Sequence, residues 1–463
     1  MATSPGQEAG AAPVRHLSWT DAVAVVVGIV IGSGIFSLPK MVAGNSVNET
    51  LMILAWVFGG FFCLCGALCY AELSTAYPHS GGEYTYLSRA YGKTIGFLFV
   101  WARVAVIQTG SIAFLSYVFG AHAAKVFSIG PSSTMIYAIA GATILTAINI
   151  VGVRTGKWTQ NTLTAAKVLG IVAIIALAVF FAPSADGQPA AAAESGAPPA
   201  AFGLAMVFVL YTFGGWNESA YVAGEVRDAK RNMLRVLIVS IVVLTALYVA
   251  INLSYLKILG QAGMSATWTP AADAVARIAG TGGGIAVSVL VAVSALGAMN
   301  GTIFTGARAM WALGNDFHVL RPLARWHGRF RTPANALVIQ WLVTAILILL
   351  PCMGDWLRQK MGSEFETTAE YTMPVFWTFL LLTAVAVFVL RRKDRNVERP
   401  FRVPLYPVTV ILFALMCGYM LYSSLAYTMW GALAGVGVLI MGVPLYFIFC
   451  RKSCNESPAT GPA

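Results

Sequence analysis

Apolar side chains occur along this chain in long uninterrupted blocks rather than in alternating or every-third-residue patterns. About 20 apolar residues suffice for a helix to cross a bilayer, and blocks of that length recur throughout. Twelve are read as spanning helices: 19–43, 50–76, 92–124, 132–151, 159–182, 202–225, 233–259, 283–312, 334–352, 371–391, 406–426 and 429–450. The pattern predicts an all-α integral membrane protein. One Pro/Ala/Ser-rich stretch, "APSADGQPAAAAESGAPPA" (182–200), reads as a low-complexity linker and divides the first ten helices into two sets of five. An odd number of spans per set places the sets in opposite orientations, which is the geometry of an inverted-topology repeat. The expected organisation is a disordered cytoplasmic tail (1–14), one membrane domain (15–452) and a second cytoplasmic tail (453–463). Within the domain, repeat one covers 19–182, repeat two 202–391, and helices 11 and 12 lie in 406–450.

Two blocks contain material that suits a helix poorly. "GIVIGSGIF" (28–36) places three glycines within seven residues, with Pro39 just beyond. "VFVLYTFGGWNESAYVAGE" (207–225) is interrupted at "FGGWN". Glycines in membrane helices can simply let neighbours pack closely. These two clusters, however, fall in the first helix of each half. Non-helical backbone at mid-membrane is tolerated where it lines a cavity or a protein interior, and paired discontinuous helices mark a transporter binding site. The two breaks are therefore read as freeing N–H and C=O groups to hold a substrate.

Composition agrees with the blocks: 58% of the 463 residues are hydrophobic, 11% are charged, and the mean hydropathy is +0.74. The net charge of +11 could suggest a polyanionic partner, but its distribution reports topology. Of the 30 Lys and Arg residues, 22 fall in segments that are cytoplasmic if the N-terminus is inside. Five (Lys125, Lys257, Arg277, Arg358 and Lys360) fall outside, and three (Lys40, Arg103 and Lys167) lie within or close to the bilayer. This bias places both termini in the cytoplasm. The first eighteen residues lack an apolar core, so no cleaved signal peptide is expected. Cys63, Cys65 and Cys69 have no accompanying ligand set, so a packed helix face is favoured over a metal site. Cys352 is the only cysteine near the outer face, which argues against a structural disulfide. The five histidines (His16, His79, His122, His318 and His327) are scattered, so the clustered acids, bases or ligands of a membrane enzyme are missing. No cofactor is expected.

"VIGSGIFSLPK" (30–40), "YAELSTAYPHSGGEYTYLSRAYG" (70–92), "FGGWNESAYVAGEVRDAKRNM" (213–233) and "RPFRVPLYP" (399–407) occur in this order. Over residues 15 to 450 the chain resembles the amino acid–polyamine–organocation superfamily. Within it, the resemblance is to the L-type amino acid transporter branch and the bacterial serine/threonine exchanger-like permeases. The resemblance implies a fold with discontinuous helices 1 and 6 and a zwitterionic amino acid bound between the breaks. The substrate carboxylate would meet the amides of Ser33, Gly34 and Ile35 at a half-helix N-terminus. The ammonium would meet carbonyls around Val30, Tyr211 and Gly214. Tyr211 matches an aromatic gate, and Trp216 and Asn217 match residues that line or border the pocket. Side-chain selectivity would come from helices three, eight and ten, which the motifs do not reach. The implied function is secondary transport of neutral amino acids across the plasma membrane by alternating access, as sodium-independent exchange. Proton symport, cationic amino acid or polyamine transport, and a transport-dead sensor stand as alternatives. The short flanking tails count against a signalling sensor. Animal L-type transporters join a glycoprotein subunit through a cysteine between helices three and four. The loop "AKVFSIGPSS" (124–133) has none, so no disulfide-linked heavy subunit is expected.

Several charges remain to be placed. Lys167 lies about 12 Å into helix five and is a functional hypothesis by default. The resemblance gives it the role of a sodium surrogate. A buried lysine could also exchange a proton, or it could snorkel to the headgroups. Glu218 could pair with Lys167, bind a proton or meet a cationic substrate; a solvated position in a cytoplasmic vestibule is favoured. Arg103 is read as a snorkelling residue, Lys40 as an interfacial anchor, and Glu72 and Glu225 as structural pairing partners.

Overall fold

The computed structural model describes residues 17–181, 201–267, 269–327, 330, 332–349, 364–427 and 429–455. The linker 182–200, the tail 1–14, the tail from 456 onward, Arg358, Lys360 and Cys352 lie outside them. Eight of the described helices are long and apolar enough to cross a membrane, with shorter apolar helices at Trp19–Val30, Ala334–Leu349 and Gly435–Phe449.

The chain begins with a helix that stops and restarts: α1 (Trp19–Val30), α2 (Gly34–Ser37) and α3 (Pro39–Gly44). Ser18 and Asp21 form a reciprocal capping box on α1, and Asp21 also accepts from Lys157 at 3.0 Å and Asn161 at 2.8 Å. There follow α4 (Glu49–Ala76), α5 (Glu83–Tyr91), α6 (Lys93–Ala102), a π-helical segment (Arg103–Ile107), α7 (Gln108–Val126), α8 (Ser133–Val151) and α9 (Val153–Phe181). The described chain resumes at residue 201. A broken helix, α10 (Ala201–Thr212) and α11 (Ser219–Val222), precedes α12 (Ala229–Ala266), the short α13 (Pro270–Ala279), α14 (Thr281–Asp316), α15 (Ala334–Leu349) and α16 (Glu364–Lys393). Helices α17 (Val408–Tyr427) and α18 (Met429–Asn455) are the last of the described elements.

Three differences from the sequence reading have local causes. The expected helix at 233–259 runs further, but Gly260 leaves helical geometry (φ 68°, ψ 166°), so α12 is two segments in series. The span 92–124 contains the π-helical turn at Arg103–Ile107, and such turns often sit at functional sites. The short helices α5 and α13 fall where loops were expected, because nine or ten residues of mixed polarity give no spanning signal.

The two broken helices run antiparallel. At one end Leu17 donates to the Glu225 carbonyl at 3.0 Å and accepts from Arg227 at 2.9 Å. At mid-length Gly215, at φ 108°, lies against α1, and a Cβ there would sit 2.8 Å from Ile29 Cγ2. Only glycine offers both that angle and that closeness. Gly28 similarly lets α1 approach α9, since a Cβ would fall 2.2 Å from Gln160 and Thr164. Buried apolar side chains form two clusters, one around the broken helices with α4 and α12, the other around α6 to α8, α14 and α15. Glu72 pairs with Arg391 (2.7 Å to Nε) and Glu225 with Arg308 (2.5 Å), in keeping with structural roles.

Candidate functional site

A cavity of about 180 Å³ lies at the seam of the two clusters and is bordered by both breaks. Ile29, Val30 and Leu210 reach it from one cluster, and Ile107, Leu115 and Ala298 from the other. Of the residues singled out from sequence, Val30, Ser33, Gly34, Tyr211, Gly214, Asn217 and Glu218 line it. Ile35, Trp216 and Lys167 stand behind its wall. Trp216 packs edge-on against Tyr70, with ring centroids 5.0 Å apart.

The first break supplies donors. The helix stops when Ile31 makes its last bond to the Val27 carbonyl and Gly32 turns back to the Val30 carbonyl. It resumes at Gly34 after Ser33 (φ −75°, ψ −20°). The N–H groups of Ser33, Gly34 and Ile35 have no acceptor among the described residues. Unpaired amides at the start of a helical turn attract anions.

The second break supplies acceptors. Helix α10 closes with Phe213 bonding to Val209 and Gly214 to Tyr211, and the chain turns through Gly215 into a 3-10 turn, Trp216–Glu218. The carbonyls of Phe213 and Gly214 receive no donor among the described residues. The Val30 carbonyl is different, because it already accepts from Gly32 at 2.8 Å and from the Tyr248 hydroxyl at 3.0 Å. Tyr248 also lies 3.3 Å from the Thr212 carbonyl, so one buried hydroxyl bridges both breaks.

Lys167 is fully buried, and its ammonium donates to the carbonyls of Gly28 (2.7 Å), Ile31 (2.8 Å) and Ser294 (3.0 Å). Three donors meet three acceptors, which satisfies the cation completely. This geometry excludes the snorkelling alternative: the side chain points at the first break, not toward a membrane surface. It also excludes a Lys167–Glu218 pair, because Glu218 is bound elsewhere.

Against the expectation from sequence, Arg103 does not snorkel and Glu218 is not a solvated vestibule group. Arg103 is 2% exposed and Glu218 7% exposed. Arg103 Nη2 donates to both Glu218 carboxylate oxygens, at 3.0 and 2.9 Å, and to Gln108 Oε1. Neither residue is solvated or snorkelling, and each offsets part of the other's cost of burial. Their pairing spans 115 positions and left no local sequence signal.

Sequence reasoning identified helices three, eight and ten but not which of their residues face the cavity. These are chiefly Gln108, Ser111, Thr302, Met373, Phe376 and Trp377. Gln108 and Thr302 stand out as polar residues within apolar blocks, which is the signal that could have found them. Trp377 Nε1 is buried and has no partner among the described residues. The cavity thus has a polar wall from the breaks and an apolar wall from Phe114, Met373 and Phe376.

A family model described as "Amino acid permease" matches residues 17–448. The chain belongs to the amino acid permease family. It is 30% identical to the human b(0,+)-type amino acid transporter 1 over 446 residues, covering 94% of this chain and 88% of that protein. It is 28% identical to the serine/threonine exchanger SteT of Bacillus subtilis over 448 residues, covering 95% and 98%. It is 30% identical to the mouse large neutral amino acids transporter small subunit 2 over 464 residues, covering 96% and 84%. The family and these relatives are transporters rather than enzymes. Together with the apolar helices, they make this permease a multi-pass membrane protein.

Proposed function

We propose that this permease moves neutral L-amino acids across the plasma membrane by alternating access, as sodium-independent exchange. The observation that carries this reading is the complementarity of the two breaks. Unspent amides at Ser33 and Gly34 suit a carboxylate, and the unspent carbonyl of Gly214 suits an ammonium. A zwitterion laid between them places its side chain against Phe376 and Met373, and an apolar wall favours a neutral side chain. The ammonium of Lys167, held by carbonyls of the first broken helix, serves as the cation that a sodium ion would otherwise supply. In this reading the twelve spans form a five-plus-five inverted repeat with helices 11 and 12 added, and both termini face the cytoplasm. The loop between α7 and α8 has no cysteine, which supports a chain that works without a disulfide-linked subunit.

The test is uptake of labelled neutral amino acids into proteoliposomes. Uptake into vesicles preloaded with unlabelled amino acid, and not into empty ones, is the expected result. Equal uptake into empty vesicles would contradict exchange, and no uptake by folded protein in any arm would contradict the substrate class. In the same assay Tyr248→Phe should slow exchange about threefold to tenfold, the effect of losing one buried hydrogen bond. An unchanged rate would show that the bridging hydroxyl plays no part in holding the breaks.

A further inference from the structure

Beneath the cavity, two buried carboxylates share one guanidinium. Glu83, on α5, is 2% exposed. Its Oε2 accepts from the Tyr221 hydroxyl at 2.6 Å and lies 3.6 Å from Arg103 Nη1. Its Oε1 accepts from Asn217 Nδ2 at 3.2 Å and from the Tyr70 hydroxyl. Arg103 is committed more closely to Glu218, at 2.9 Å. With both carboxylates ionised the cluster carries a net charge of −1, with Glu83 buried and Glu218 at the cavity wall.

Several buried or part-buried charges on the surrounding elements have partners of their own. On α4, Glu72 pairs with Arg391 of α16 and with Arg399. On α14, Arg308 pairs with Glu225, and Asp316 accepts from Tyr84. On α5 itself, Arg89 pairs with Asp394. Lys167 bonds to carbonyls of α1 and α14. From α4, α11 and the 3-10 turn, the groups facing Glu83 are Tyr70, Tyr221, Asn217 and Glu218. The π-helical segment contributes Arg103.

We propose that the Glu83–Arg103–Glu218 cluster is a proton-binding site, with the proton on Glu83 while Arg103 is held by Glu218. The inference rests on the carrier reading given above. Glu83 is the member suited to hold the proton, because the phenols on both of its oxygens can accept as well as donate. Glu218 meets a permanently charged donor instead. Burial pushes the Glu83 carboxyl above the ordinary glutamate range, and Arg103 beside it only partly offsets that rise. Arg103 Nε is buried without a partner among the described residues, so the guanidinium has bonding capacity to spare. When the second break moves and carries Glu218 away, Arg103 is left with Glu83, which then releases its proton to water entering from the cavity that Gln108 and Glu218 line. Gln108 and Glu218 both line the cavity and both contact Arg103. Substrate occupancy and proton occupancy are thereby linked through neighbouring bonds.

The arrangement with Arg103 on Glu218 is the one that needs a proton on Glu83, and each transport cycle has to rebuild it, so the rate follows the protonated population. Exchange should fall as pH rises through the Glu83 pKa, by about tenfold per pH unit at its steepest. The experiment measures exchange rates in proteoliposomes across this range, together with the protonated-carboxyl stretch of the purified protein by infrared spectroscopy. The wild-type protein should show both the pH-dependent rate and the band. Glu83→Gln should show a flat profile and lack the band. Should Glu83→Gln not fold, Glu218→Gln leaves Arg103 and Glu83 as a balanced pair and should likewise flatten the profile. A wild-type protein without the band, or a Glu83→Gln protein that keeps the wild-type profile, would overturn the proposal. A Glu83-dependent band in a protein that exchanges no amino acid at any pH would overturn the carrier reading and leave the proton site standing.

Discussion

Replacing Ser33 with proline should weaken binding of a neutral amino acid about tenfold to a hundredfold while leaving the fold in place. Proline lacks the N–H that Ser33 offers to the cavity. The backbone there, at φ −75° and ψ −20°, already suits the proline ring. The preceding residue is Gly32, which tolerates the restriction that proline imposes on its neighbour. The Ser33 amide has no protein acceptor among the described residues, so its loss costs the empty protein no internal bond. A hydrogen bond to a charged group contributes about 1.5–3 kcal/mol, which sets the expected factor. Ser33→Ala keeps the amide and should bind nearly as the wild type does. Equilibrium binding by scintillation proximity checks both variants. Equal loss in Ser33→Ala and Ser33→Pro would place the effect in the hydroxyl rather than the amide.

Lys167→Met should reduce exchange by about a hundredfold or more. The substitution preserves length and apolar contact but removes three hydrogen bonds from a charged donor, each worth about 1.5–3 kcal/mol. It leaves the carbonyls of Gly28, Ile31 and Ser294 facing an apolar group. Two of these carbonyls belong to the first break, so its geometry is what suffers. Lys167→Arg is not expected to rescue the rate. Gly297 packs so closely that a Cβ there would lie 2.6 Å from the ammonium, and a planar guanidinium needs more room. Exchange rates measured on protein shown to be folded by size exclusion provide the test. Wild-type flux in Lys167→Met would remove the lysine from the mechanism.

The sequence made some features legible and hid others for identifiable reasons. The breaks at "GSGIF" and "FGGWN" could be read because glycine clusters conflict locally with the apolar blocks around them. Lys167 could be read because a charge deep in an apolar block has few innocent explanations. The true partners of Arg103 and Glu218 could not, since each looked isolated within its own helix and the pairing exists only in three dimensions. Glu83 drew no attention because it sits in a mixed-polarity stretch between spans. Its burial follows from α5 being folded in against Tyr70 and Tyr221. Trp377 and Phe376 were hidden in the opposite way, as aromatic residues among many others in apolar blocks. Their facing the cavity depends on the rotation of α16, which periodicity in a uniformly apolar helix does not reveal.

The central claim is that the cavity between the breaks is a site for a zwitterion, gripped at both ends by unpaired backbone. Displacement of a labelled neutral amino acid from the purified permease tests it most directly, using three competitors: the same amino acid unlabelled, its decarboxylated amine, and its α-keto acid. The account predicts displacement by the amino acid, and at least about a hundredfold weaker displacement by each analogue, since each leaves one break unsatisfied. An amine or keto acid that competes as well as the amino acid itself would contradict it.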